Sequence, residues 1–353
     1  MTTNLGYKIQ PLLHEYGVEA DYVENLGEIK KIYSKQGTLA MKRTRLSPSE
    51  LQQYEQTLKF LHYKGFGMAA PVYKTKAGSY FVFDREGSAY YVMPWLAANR
   101  EEERNDHAFN VFRQLGELHA KTVQEEKISE EEMTKLVDTE KEKWKRRKIE
   151  LEKYIEKCED QAYMSPFELY FCTYYQEMTR ASDYALRKLD EWYDLSKEKK
   201  TYRNVFTHGK PSFQHYLYNI EGNGYFINFE HAKRHPPIYD LLYFYYRSCK
   251  TYPFQNDDRF QWFQTYRKQF PLTEEELTLF MAQLAYPEGL YKVVRDYRKN
   301  KKGKTERVHV QLLQRAYWQM KNIESFLTNI MMYEEQIKQQ KLQQQQQESQ
   351  MNS

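Results

Sequence analysis

The sequence predicts an α+β protein in two parts: a small N-terminal antiparallel sheet with one main helix, then a larger, mostly helical region. Three observations predict it. Apolar and polar residues alternate over residues 17–45 and resume over 71–96, with one helical segment between. Beyond Leu96 apolar residues recur at three- and four-residue spacing in long segments. A single strand-like island, residues 204–232, interrupts those helices.

The elements follow in order. The stretch VEADYVENLGEIKKIYSKQGTLAMKRT alternates around Ser34-Lys35-Gln36-Gly37, a hairpin signal. In LSPSELQQYEQTLKFLHYKGFG, Ser47 or Ser49 can cap a helix, and Leu51, Tyr54, Leu58 and Leu61 share one face. Strands return in PVYKTKAGSYFVFDREGSAYYVMPWL, with turns at Ala77-Gly78 and Glu86-Gly87. Phe109, Phe112, Leu115, Leu118 and His119 then form a helical stripe. Residues 123–160 read as a highly charged helix laced by i,i+4 pairs, with a basic contact surface as the alternative. An aromatic-rich helix runs to about residue 195, and helices after the island run to about 336 around a basic loop, residues 295–307. The expected divisions are residues 1–97, 98–335 and a Gln-rich tail, 336–353, expected to be disordered.

Composition excludes several classes. The 53 basic and 49 acidic residues of the 353 leave a net charge of only +4, too balanced for a dedicated nucleic-acid binder. Cys158, Cys172 and Cys249 form no CxxC pair or Cys/His cluster, so neither a disulfide framework nor a zinc site is expected. The N-terminus does not read as a signal peptide, and no apolar run reaches the roughly 20 residues that span a bilayer. Tyrosine is abundant at 32 residues. It suits half-buried positions where the ring packs and the hydroxyl reaches water; an adhesive surface or a substrate for oxidative cross-linking is the other reading.

Several segments resemble the aminoglycoside-phosphotransferase and choline-kinase type of kinase-like protein and, more narrowly, the CotS-related spore coat proteins of endospore-forming bacteria. GTLAMKRT resembles the strand bearing a phosphate-positioning lysine, here Lys42, with Glu55 on the next helix as its expected partner. YYVMPWL, which includes Met93, resembles the hinge, and LGELHAKT resembles the helix behind the catalytic loop. FTHGKPSFQHYLYN resembles that loop, which reads HGDxxxxN in active members, and YFINFEHAKRHPPIYDLLYF resembles the following metal-binding strand and turn. The resemblance spans roughly residues 20–330 and implies a two-lobed protein-kinase-like fold. It makes His208 a loop-bracing residue and Asp240 a buried support for the loop.

The departures bear on activity. The resemblance puts Lys210 where active members have the catalytic Asp, His215 where they have a magnesium-binding Asn, and Asn228 where they have the metal-binding Asp. A lysine near its ordinary pKa of about 10.4 is charged and cannot accept a proton. Neutral Asn and His are poor substitutes for the charged oxygen ligands of magnesium. Glu230, two residues beyond Asn228, would face the same side of a strand and reach a metal or pair within the turn. Lys210 would contact a phosphate or pair with Glu230.

The expectation is a catalytically degenerate protein with no cofactor, made in the mother-cell cytoplasm and assembled with other spore coat proteins. The alternatives are an atypical small-molecule phosphotransferase or nucleotidyl transferase using ATP and magnesium, and a nucleotide-binding switch without turnover.

Overall fold

The computed structural model describes residues 3–97, 104–250, 258–299 and 303–351. They form two compact units, one of residues 1–123 and 205–235, the other of residues 124–204 and 236–353. This division differs from the expected boundary at residue 97: the helix after the hinge segment and most of the island belong with the N-terminal strands.

The first unit begins with α1 (Thr3–Glu15), to which the sequence reading assigns no element; Pro11 within it obscures the pattern. Strands β1 (Ala20–Leu26), β2 (Ile29–Ser34) and β3 (Gly37–Thr44) follow, then α2 (Pro48–Tyr63), β4 (Val82–Phe83), β5 (Ala89–Pro94) and α3 (Arg104–Thr122). The strands form an antiparallel sheet in the order β1-β2-β3-β5-β4. Gly37 lies opposite Ser34 in the β2–β3 hairpin, with φ near 113°, a dihedral glycine adopts without steric cost. The two sheet faces serve different ends. Val23, Ile32, Leu39, Met41, Val82 and Val92 pack with Ile9, Leu13 and Val18 into one apolar cluster. Strand alternation turns Ala40, Lys42, Tyr91 and Met93 to the other face.

The chain then supplies β6 (Gln124–Lys127), α4 (Glu130–Glu159) and α5 (Pro166–Ser196) to the second unit. Strand β7 (Thr201–Thr207) pairs through Asn204 with β6, and its last three residues pair with β10 (Lys233–His235) in the first unit. Between them lie the short hairpin of β8 (Tyr216–Tyr218) and β9 (Gly224–Phe226) and two 3-10 turns, Phe213–His215 and Phe229–His231. Backbone bonds stitch the hairpin to the N-terminal segment: Phe226 N–H to Met68 C=O at 2.7 Å and Ala97 N–H to Tyr218 C=O at 2.9 Å.

The second unit is completed by α6 (Ile238–Ser248), α7 (Asp258–Gln269), α8 (Glu274–Ala285), α9 (Glu288–Arg298) and α10 (Glu306–Met351). Helix starts are written in the sequence as Ser/Thr-x-x-Glu. Ser47/Glu50, Ser129/Glu132, Ser165/Glu168 and Thr273/Glu276 all close reciprocal capping boxes, which satisfy otherwise orphaned N–H groups. Helix α5 packs against α4, α8 and α10. Among the described residues, no helix is long and apolar enough to cross a membrane.

The expected disordered tail is corrected. Residues 336–351 continue α10 as helix. Propagating a preformed helix avoids the nucleation cost, and glutamine is a fair helix former, so the polar segment extends it without burying a face.

Candidate functional site in the first unit

Lys42 lies on β3 directly opposite Tyr91 of β5. Its ammonium donates to Asn228 Oδ1 at 2.6 Å and to Glu230 Oε1 at 2.8 Å, with the Lys42 and Glu230 side chains only 14% and 13% exposed. Tyr91 donates its phenol proton to the same Glu230 oxygen at 2.9 Å, and its ring lies 5.7 Å from the Lys42 nitrogen. Tyr54 of α2 hydrogen bonds with Tyr91, and their rings meet edge to face at 5.7 Å. Burial first, then the Glu230 and tyrosine charges, drives the Tyr91 phenol far above its usual range, so it remains a proton donor.

Glu55 is not the partner of Lys42. It pairs with Lys59 at 2.7 Å along α2. The reason is helical phase: Leu51, Tyr54, Thr57 and Leu61 make the buried face, and Glu55 lies about 100° around the axis from Tyr54. Tyr54 therefore occupies the inward place. Met93 is buried on β5 opposite Ala40.

Asn228 and Glu230 meet Lys42 by a route other than strand alternation. Asn228 adopts left-handed dihedrals, φ 65° and ψ 45°, and caps the 3-10 turn that carries Glu230. Asparagine is among the few residues that tolerate this conformation.

The preceding loop is held by its own histidine. His208 is fully buried; its Nε2–H donates to Ile227 C=O at 2.8 Å and its Nδ1 accepts from the Lys210 amide at 3.3 Å. His215 Nδ1–H donates to Lys210 C=O at 2.8 Å, and its ring stacks on His208 at 5.8 Å. Lys210 does not pair with Glu230, whose carboxylate is committed to Lys42. Its ammonium donates instead to His231 Nε2 at 2.7 Å. Asp240 lies in the first turn of α6 in the second unit and is 1% exposed.

His231 and Tyr91 went unnoticed in sequence, and Tyr54 was read only as part of a helical stripe. Tyr91 was detectable once GTLAMKRT and AYYVMP are paired in register, which sets it across from Lys42. His231 carries no sequence signal, because only the turn brings it to Lys210. Burial, then the Lys210 charge, lowers the His231 pKa from 6.5, with Glu230 and Glu50 opposing and Lys42 adding to the depression. Below pH 6.5 the unfolded chain therefore binds the proton more readily, and stability falls as pH drops through that value toward the folded pKa. An NMR titration of His231 is expected to show a midpoint below 6.5 that rises in Lys210→Met. A midpoint unmoved by that substitution would remove the Lys210 contact.

These residues do not fit magnesium. Among the described residues Glu230 is the one carboxylate on Lys42 and is already paired; Asn228 carries no charge, His215 is an imidazole bonded to the Lys210 carbonyl, and Lys210 is a basic side chain. Among the described residues, no three His, Cys, Asp or Glu side chains gather as metal ligands. What the arrangement can do is hold the loop and strand together through a partly buried ion pair.

No match is found among the curated proteins. Solved structures share the fold. An aminoglycoside phosphotransferase from Alicyclobacillus acidocaldarius is similar with a TM-score of 0.71 at 16% identity, covering 92% of this chain and 95% of that one. An AMP-bound spectinomycin phosphotransferase is similar at 0.53 and 12% identity, covering 90% and 97%. A microcompartment-associated aminopropanol kinase is similar at 0.51 and 12% identity, covering 91% and 97%. The kinase-like fold, with its antiparallel N-terminal sheet and helical C-terminal part, is thereby shown. The model of the phosphotransferase enzyme family matches residues 29–271, and the chain belongs to that family.

Proposed function

We propose that this family member is catalytically silent and serves as a structural or interaction component of a bacterial spore coat. The observation that carries the first half is the Lys42 clamp. The lysine that would position phosphates in this fold is bound to Glu230 and Asn228, and the motif resemblance puts a lysine, Lys210, at the position of the base. Releasing Lys42 to a phosphate would leave Glu230 partly buried without its counter-ion, an unfavourable exchange. The coat assignment, with other coat proteins as partners and the mother-cell cytoplasm as the place of synthesis, is supported by the CotS-like segments alone.

A second reading, an active or nucleotide-binding small-molecule kinase, is favoured by the similar structures, whose names are those of phosphotransferases and kinases. Thermal-shift titration with ATP separates the readings. The expected result is no magnesium-dependent stabilisation and no ATP turnover. A magnesium-dependent shift with turnover, both abolished by Lys42→Ala, would establish an enzyme. A magnesium-independent shift without turnover would establish a nucleotide switch. For the coat, a fluorescent fusion is expected to gather at the forespore during sporulation; a fusion that stays diffuse sinks that assignment.

A further inference from the structure

The second unit contains a cavity of about 530 Å³ lined by residues of α4, α5, α9 and α10. Lys153, Lys157, Arg298 and Lys304 line it, together with Tyr154 and His309. The four cations are exposed, whereas Tyr154 and His309 are 6% and 4% exposed. The site thus has a charged rim over a buried phenol and imidazole.

Its charge is only partly offset from within, four cations standing with two carboxylates. Two carboxylates line the cavity, and both are committed to the fold. Glu168 closes the α5 capping box, accepting from Ser165 N–H at 2.9 Å, and also accepts from Tyr154 at 3.4 Å. Glu306 accepts from Phe167 N–H at 2.8 Å and from the Tyr297 hydroxyl at 3.1 Å. Among the described residues none of the four cations forms an ion pair; Arg298 donates to Glu150 C=O at 3.3 Å and lies over the Tyr154 ring. His309 packs edge-on against Tyr297 at 5.1 Å and Phe167 at 6.2 Å, and neither ring nitrogen hydrogen bonds to a described residue. A 4% exposed imidazole with no hydrogen-bonding partner among the described residues, lining a cavity ringed by cations, is arranged for a ligand that accepts hydrogen bonds.

Helix electrostatics explains part of this charge. Lys157 and Arg298 stand in the last turns of α4 and α9, where a cation offsets the helix dipole. Lys153 lies inside α4, and Lys304 stands two residues before the first residue of α10, where a positive charge is unfavourable. The helix dipole accounts for neither of these two.

We propose that this cavity binds a small anion bearing two or more negative charges on clustered oxygens. The volume admits a compact molecule and the rim supplies several cations at once, which selects for charge density. Phosphate and carboxylate groups share this chemistry.

Isothermal titration of the full chain without divalent metal, using inorganic pyrophosphate and, separately, citrate, tests the proposal. Binding of at least one is expected, weakening as salt is raised. A preference for pyrophosphate identifies phosphate as the group read; equal binding identifies charge alone. The Lys153→Gln/Lys304→Gln double variant, at two exposed positions, is expected to weaken binding about tenfold while leaving the circular dichroism melt unchanged. Lys42→Ala, in the other unit, is expected to leave binding unchanged, which keeps this site separate from the clamp. No heat at roughly 10 mM of either anion, beyond the weak end of specific binding, overturns the proposal. So does binding that survives the double variant or disappears in Lys42→Ala.

Discussion

Gly209→Ala is expected to disrupt the His208–Lys210 loop and cost roughly 3–5 kcal/mol. Gly209 has φ near 84°, a left-handed conformation that costs an alanine about 1 kcal/mol. The larger part is steric. A Cβ at this position would lie 2.1 Å from the His231 carbonyl oxygen and 2.7 Å from its carbon. These are backbone atoms and cannot rotate away. The segment just after them is pinned, since Lys233 pairs with Thr207 across β10 and β7 and its carbonyl accepts from the Thr207 hydroxyl at 2.8 Å. The loop must therefore shift, breaking the His208 bond to Ile227 and the Lys210 contact with His231. Gly87→Ala is the control: φ is 79°, but nothing lies within 4 Å of the added Cβ, so only the conformational cost of about 1 kcal/mol remains. Denaturant melts and amide exchange across residues 205–232 measure the difference. Equal losses in the two variants would show that the close approach to His231 is absent.

Tyr245→Ala is expected to destabilise the second unit by about 3–5 kcal/mol. Tyr245 of α6 is fully buried. Its ring stacks on Phe326 of α10 at 4.4 Å and meets Phe263 of α7 and Phe280 of α8 edge-on at 6.1 and 6.0 Å. Four helices thus share one aromatic cluster, and truncation leaves a void that none of these flat side chains can fill without leaving its own contact. The hydroxyl adds a separable part, donating to Arg259 C=O at 3.0 Å. Tyr245→Phe keeps the ring and removes this one bond, while the Arg259 carbonyl, in the first turn of α7, keeps its intrahelical hydrogen bond, so the change is expected to cost about 1 kcal/mol. Chemical denaturation of the two variants separates packing from hydrogen bonding. A Phe variant as damaged as the Ala variant would put the energy in the hydroxyl instead. Burial drives the Tyr245 phenol far above its usual range, so it is also expected to ionise only when the unit opens.

The abundant tyrosines divide between two environments. Tyr54, Tyr91, Tyr245 and Tyr266 are buried as core aromatics, whereas Tyr63 and Tyr163 stand 82% and 91% exposed. Counting alone could not separate these uses, because a strand or helix pattern assigns a face but not what covers it.

The sequence by itself determined the class of fold, the β2–β3 hairpin and the start of the helix α2. Each depends on residues within a few positions of one another: Ser34 with Gly37, Ser47 with Glu50, or the stripe of Leu51, Tyr54 and Leu61. Resemblance to the family's motifs also singled out Lys42 as the expected phosphate-positioning lysine and Lys210, His215 and Asn228 as departures. It misassigned the partners. Glu55 was the acid expected from the following helix, but helical phase turned Tyr54 inward. Glu230 was expected to share a strand face with Asn228, but a left-handed Asn228 and a 3-10 turn replaced the strand. Only the tertiary structure decided that Lys42 is clamped by residues 186 and 188 positions away, and that Lys210 meets His231. Local patterns constrain dihedrals and faces, whereas pairing among charged side chains is settled by which ones the packed backbone brings within hydrogen-bonding distance.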